Sequence, residues 1–397
     1  MKPVGGGAAD AEYRRRGESL VNSDQPPGPV DARLDRLRGR ALPVNHDART
    51  ISALAANPGC PRRALMDAAG VDKKKIAAHI GYPAPFGQSR FAITRGNAFE
   101  AQVKENGAAK LLTLLRDHLD LDVTEANYTD FNDGGDDPSR EFRHVRTRHG
   151  LTGQDHGPRT LFDHPLLRLR VGDRHAYLEP DLIALRLDGS FRVIEIKSFP
   201  VIDGQADPGS VAAAAIQSAV YVRALRDLIA EAGGDPGRVS HETILIAPRD
   251  FASRPVATSL DVRKQLGVLD RQLNRMAKID DLLAPYPQTL TFDLDPDDGG
   301  TPRRSREELA AALALVPASY VPECLASCEL CFACRHEAAG STRALGKSEY
   351  NDLGGIESNA QALALARGQL PSAEQAEIAV QLLRAAQLRE QLLGEVI

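Results

Sequence analysis

An α/β fold with an appended helical hairpin is what this sequence of 397 residues predicts, and three observations carry that prediction. Segments 166–171, 176–187 and 191–199 are short and rich in Leu, Val and Ile, and the last two flank Asp188-Gly189, a dipeptide suited to a hairpin turn. A helical segment over 208–232, closed by Gly233-Gly234, leads to the short apolar run 243–247, so the core reads strand, strand, strand, helix, strand. Two further helical segments, 357–367 and 372–393, are separated by Gly368 and Pro371 and read as a helical hairpin outside that core.

Composition sets the outer bounds. With 49 Lys and Arg against 54 Asp and Glu the net charge is −5, and 42% of residues are hydrophobic, which excludes a collagen, a disulfide-stapled miniprotein and a wholly disordered chain. No stretch approaches the ~18 uninterrupted apolar residues of a membrane span, and residues 1–50 hold no apolar run of signal-peptide type. A cytoplasmic chain without a membrane partner is therefore expected. A mildly acidic chain that binds nucleic acid must use local basic patches. Lys73, Lys74 and Lys75, Arg62 with Arg63, and the group Arg303, Arg304 and Arg306 are candidates, each also readable as a solvated face.

Taken in order, residues 1–45 combine glycines, Arg14 to Arg16 and the prolines 26, 27 and 29 without apolar periodicity, and are expected to form a disordered tail. Short helices are expected over 49–56 and 61–69, broken by Asn57, Pro58 and Gly59, so that Cys60 stands at a helix entrance with Pro61 as first helical residue. Asn97 can cap a long helix carrying Val103, Leu111, Leu114, Leu115 and Leu119 on its apolar side, with Glu100 in the first turn. After the strands comes a helix over 262–283, then an acidic loop over 293–298, a helix near 307–315 and a crowded group of cysteines.

The chemistry concentrates in Glu179-Pro180-Asp181, followed after thirteen residues by Glu195-Ile196-Lys197. Strand side chains alternate, so Val193, Glu195 and Lys197 share one face and Ile194 and Ile196 the other. A carboxylate and an ammonium on one face of an apolar central strand are costly unless paired or bound to something. A salt bridge between neighbouring strand positions is the plain reading. Asp181 adds another, because a hairpin can bring it beside Glu195 and present carboxylate oxygens of the kind Mg²⁺ or Mn²⁺ prefers. Parity sets a condition: with a plain two-residue loop at Asp188-Gly189, Asp181 would face Ile196, on the wrong side. A bulge or a longer loop must supply one residue of offset.

These residues resemble the PD-(D/E)XK nuclease superfamily, whose motif stands here as Pro180-Asp181 and Glu195-Ile196-Lys197. Gln217 and Tyr221, one helical turn apart, resemble the Gln-x-x-x-Tyr pair that follows the motif in the RecB-like branch. Glu100, in Arg95-Gly96-Asn97-Ala98-Phe99-Glu100, stands where many members of the branch carry a histidine metal ligand; a capping role opposite Asn97 is its other reading. The resemblance covers about residues 50–340. It implies a restriction-endonuclease-like mixed central sheet flanked by helices and a nuclease domain over 46–346, to which the helical pattern of the residues themselves adds a C-terminal hairpin over 347–397. It also implies that Asp181, Glu195, the Ile196 carbonyl and Glu100 hold Mg or Mn, while Lys197, Gln217 and Tyr221 complete the catalytic set.

Cys60 stands alone and Cys324, Cys328, Cys331 and Cys334 fall within eleven residues. In a reducing compartment such clustering points to metal ligands or reactive thiols rather than disulfides. One cysteine before the core and three in a tight group after it resembles the 4Fe-4S layout of AddB-type repair subunits and CRISPR-associated adaptation nucleases. That likeness implies Cys60, Cys324, Cys328 and Cys334 as ligands with Cys331 spare, or Cys331 in place of Cys324. Structural Zn is the rival metal.

The expected activity is metal-dependent hydrolysis of phosphodiester bonds, in DNA, within repair or defence. A catalytically silent subunit that binds DNA or a partner protein is the alternative, and a redox-sensing regulator is a third class. The chain has no phosphate-binding loop, so any ATP-driven step would need a helicase or other ATPase partner.

Overall fold

The computed structural model describes residues 29–84, 90–119, 126–132, 139–153, 159–172, 174–180, 182–187, 190–250, 253–297 and 299–394. Its helices are α1 (Pro29–Arg38), α2 (Ala48–Ala56), α3 (Pro61–Ala69), α4 (Lys73–His79), α5 (Arg90–Leu119), α6 (Arg140–Thr152), α7 (Pro208–Glu231), α8 (Arg263–Ala277), α9 (Ile279–Leu283), α10 (Arg306–Ala314), α11 (Cys324–Ser327), α12 (Cys331–Glu337), α13 (Lys347–Asp352), α14 (Asn359–Ala366) and α15 (Ala376–Gly394). The strands are β1 (Asn127–Asp130), β2 (Arg159–Asp163), β3 (Leu167–Val171), β4 (Arg174–Leu178), β5 (Leu182–Leu187), β6 (Ser190–Ile196), β7 (Glu242–Arg249) and β8 (Arg254–Asp261). Among the described residues no helix is long and apolar enough to cross a membrane.

Six strands form one mixed sheet in the order β1-β2-β5-β6-β7-β8, with β1/β2 and β6/β7 parallel and the other pairs antiparallel. Connection length explains the directions. The two-residue link between β5 and β6 permits only an antiparallel hairpin, whereas the parallel β6/β7 pair needs a long crossover, which α7 supplies. Asp207 starts α7 by accepting from the Ser210 amide at 2.7 Å, and Pro208 occupies the first turn, where its missing N–H costs nothing.

The sheet separates two cores. Phe191 and Val193 lie in the larger one with Val220, Tyr221 and Leu225 of α7. Ile194 and Ile196 lie in the other with Ile244, Ile246 and with Phe99 and Val103 of α5. Ile194 is fully buried, so Ile194→Ala is expected to lower stability by about 2–5 kcal/mol, read as a drop in the urea midpoint with unchanged slope.

Several elements differ from the sequence expectation. The apolar stretch 176–187 is two strands, broken after Leu178 where Pro180 cannot donate to a ladder, and β3 pairs with β4 in a separate hairpin. Asn97 does not cap α5, which already begins at Arg90, since a single Gly96 costs only ~1 kcal/mol and does not stop a helix; the expected long helix is instead two helical segments, parted by a kink at Glu105, Asn106, Gly107 and Ala108, whose backbone leaves the helical region. Residues 29–45 are not tail: α1 buries Leu37, and Arg33 donates to the Leu283 carbonyl at 2.7 Å. The segment 262–283 is α8 and α9, parted at Lys278, whose ψ of 58 leaves the helical region. The closing hairpin forms as α14 and α15 around a small core of Ile356, Leu365 and Ala379. Strands β1, β2 and β8 were not expected.

Candidate active site

Glu195 sits near the end of β6 with none of its surface exposed. Its neighbours Ile194 and Ile196 point to the α5 side, so alternation places Glu195 with Val193 on the α7 side. Lys197 follows the strand, its amide donating to the Ile246 carbonyl at 2.9 Å, and its ammonium is paired with the Glu195 carboxylate. A charged pair at the end of a central strand is thus held with one partner fully buried and the other about a quarter exposed. On α7, Gln217 Nε2 donates to the Tyr221 hydroxyl at 2.8 Å, and Tyr221 is buried, so this pair belongs to an inward helix face.

The hairpin carries the offset that parity requires. Leu187 pairs with Ser190 and Leu185 with Arg192, as a plain two-residue loop dictates, but Leu182 pairs with Ile194. The β2 ladder records the same event, with Phe162 opposite Ala184 and Asp163 opposite Leu182. One extra residue therefore sits on β5 just before Leu185, a bulge that resets the register from there toward Pro180. Pro180 is buried, and Asp181 itself lies outside the described residues.

Glu100 belongs to a second polar group, which the sequence reading missed. It is paired with Lys104 and lies 3.9 Å from His164 Nε2; Lys104 Nζ is 2.7 Å from Asp163 Oδ1. His164 Nδ1 stands 3.0 Å from Asp130 and 3.4 Å from Asp163, and the Tyr128 hydroxyl donates to Asp163. Ligand atoms of Asp130, Asp163 and His164 all lie within 4.8 Å of one another, a nitrogen and two oxygens that could hold a metal ion. Burial pushes the Asp130 carboxyl up, but the Asn132 amide and His164 outweigh it and hold it below its ordinary value. Burial and the hydrogen bond to Asp163 hold the Tyr128 phenol protonated far beyond neutral pH.

Asp163 shares the α5 side with Ile194, to which it is linked through Leu182, so the two polar groups lie on opposite faces. Both are at the sheet edge where β1, β2 and β6 end. Gly96 of α5 approaches that edge: a Cβ there would stand 3.7 Å from Ser198 Oγ. The only sequence signal for the second group was Asp163-His164 closing the apolar pair Leu161-Phe162; β1 is too short and polar to betray Asp130.

The four distal cysteines and Cys60 are all buried, free thiols. Cys60 stands at the N-cap of α3, and α3 is clamped onto the distal segment. The Arg62 amide donates to the Pro317 carbonyl at 3.3 Å, Arg63 Nη2 to Ser327 O at 2.8 Å, and Asn57 Nδ2 reaches Cys324 Sγ at 3.2 Å. Burial pushes the Cys328 thiol up to about 11 against the pull of Arg63, and the Cys334 thiol up to about 12 against that of Arg62. A metal binding here must displace those protons. Among the described residues no three cysteine sulfurs lie within 4.8 Å of one another.

The basic candidates divide. Arg62, Arg63 and Lys73 are buried, Arg63 and Lys73 both paired with Asp67, and cannot contact a polyanion from there. Lys74, Lys75, Arg303 and Arg306 are exposed. No family model matches the chain, and no curated protein matches it.

Proposed function

We propose that this chain is a metal-dependent nuclease that hydrolyses phosphodiester bonds in DNA, in repair or defence. The observation that carries the reading is the buried Glu195 paired with Lys197 at the end of a central strand, reached by a hairpin whose bulge has the offset Asp181 needs to come opposite Glu195. Asp181, Glu195 and the Ile196 carbonyl would hold Mg or Mn, which when bound acidifies a water and neutralises charge on the scissile phosphate, whereas Glu100, the fourth expected ligand, is paired with Lys104 beside Asp163 on the other face and belongs to the second polar group. Lys197, displaced from its pairing with Glu195, orients that water and stabilises the charge that develops on the phosphate. Gln217 and Tyr221 steady Lys197 or the DNA backbone. The Asp130, Asp163 and His164 group adds a further set of metal-binding atoms at the same sheet edge.

The cysteines fit a 4Fe-4S cluster on Cys60, Cys324, Cys328 and Cys334, with Cys331 as alternate, better than they fit zinc. The layout supports this, one cysteine before the core and a tight group after it, all of them buried, where structural zinc more often takes two close pairs. The cluster would fasten α3 to the distal segment. Labelled single-stranded and duplex DNA, incubated with Mg²⁺ or Mn²⁺, are expected to be cut in a reaction that EDTA abolishes. DNA binding without cleavage under either metal would replace this reading with that of a silent nuclease-like subunit.

A further inference from the structure

Two polar side chains reach the cysteine sulfurs without being ligands. Asn57, which ends α2 and is 8% exposed, donates from Nδ2 to Cys324 Sγ at 3.2 Å and to the Ser319 carbonyl at 2.6 Å. Arg62, in the first turn of α3 and 2% exposed, directs Nη1 at Cys334 Sγ, 3.5 Å away, and at Glu337 Oε1, 2.8 Å away. Its Nε and Nη2 are tied to the Val316 and Leu313 carbonyls at 2.8 and 2.9 Å, so the guanidinium is fixed in place before it meets sulfur.

A neutral thiol is a weak acceptor and gives a buried guanidinium little in return for lost hydration. A thiolate is a charged acceptor, and hydrogen bonds to charged groups are roughly twice as strong. The donors therefore match sulfurs that carry negative charge. We infer that Asn57 and Arg62 donate hydrogen bonds to Cys324 and Cys334 as thiolate ligands of the iron-sulfur cluster, and set its reduction potential.

The inference rests on the cluster reading above and adds to it. An added electron increases the negative charge on the ligand sulfurs, so N–H donors stabilise the reduced form more than the oxidised one and raise the potential. Glu337 works in the opposite sense, since its carboxylate shares the Nη1 group that faces Cys334.

The test uses the full chain, reconstituted with iron and sulfide without oxygen. Iron is counted first, and the midpoint potential is then read by electron paramagnetic resonance during titration with dithionite. Asn57→Leu is expected to lower the reduction equilibrium constant about tenfold, which is about 59 mV for one electron. Arg62→Met is expected to act in the same direction. Glu337→Gln, at a half-exposed position where the amide oxygen can still accept from Arg62 Nη1, is expected to raise the potential, and with Asn57→Leu it decides the matter if Arg62→Met fails to fold. Full iron content with unmoved potentials in Asn57→Leu and Glu337→Gln would overturn this inference alone. A wild-type chain that takes up no iron would overturn the cluster reading and this inference with it.

Discussion

Glu195→Gln and Lys197→Ala are each expected to reduce metal-dependent DNA cleavage by on the order of 10²–10⁴-fold, the range over which a single positioned acid, base or charge-stabilising group acts. The double mutant should be little worse than either single mutant, because the two side chains are paired and act as one unit. DNA binding should survive, since it depends on distributed phosphate contacts such as those Lys74, Lys75, Arg303 and Arg306 can make. Lys197→Ala also leaves the buried Glu195 charge without its ammonium, a change that typically costs about 3–5 kcal/mol. Thermal unfolding must therefore accompany the assay, and Glu195→Gln, which keeps shape and removes the charge, separates lost chemistry from lost fold. Undiminished cleavage in a folded Lys197→Ala protein would sink the mechanism. Asp181→Ala should behave like Glu195→Gln.

The second large effect concerns the cysteines. Protein isolated without oxygen is expected to be brown, with about four irons per chain. Cys60→Ala and Cys324→Ala should lose the iron and much of the stability, because α3 and the distal segment lie more than 250 positions apart and metal binding contributes directly to holding such a clamp. Cys331→Ala should retain both. Iron loss in Cys331→Ala with retention in Cys324→Ala would exchange the roles of the two residues. Colourless protein holding one zinc would replace the cluster while leaving the nuclease reading intact. In the iron-free variants cleavage is expected to fall as well, although no residue near Glu195 is altered, because α2 and α3 pack in the same core as α7.

By itself the sequence determined the elements whose signals are local. Alternation placed Glu195 opposite in face to Ile194 and Ile196, the Asp-Gly dipeptide marked the β5/β6 hairpin, and parity required one residue of offset, from a bulge or a longer loop, for Asp181 to face the same way as Glu195. Gly233-Gly234 marked the end of α7, and Gly368 with Pro371 announced the gap between α14 and α15. The crowding of four cysteines declared a metal site or reactive group. What depended on contacts between distant segments could not be read. Asp130, Asp163 and His164 meet only because β1 pairs in parallel with β2, a long-range choice that leaves no periodicity in the polar residues of β1. Arg62 and Arg63 look like surface charge in sequence. They are buried because carbonyls and carboxylates from residues 313–337, with Asp67 beside them, are there to receive them. Local propensity and alternation act over a few residues and leave their mark in the sequence; pairing partners and the burial of charge are decided by tertiary packing, where each group's cost depends on what another part of the chain brings to it.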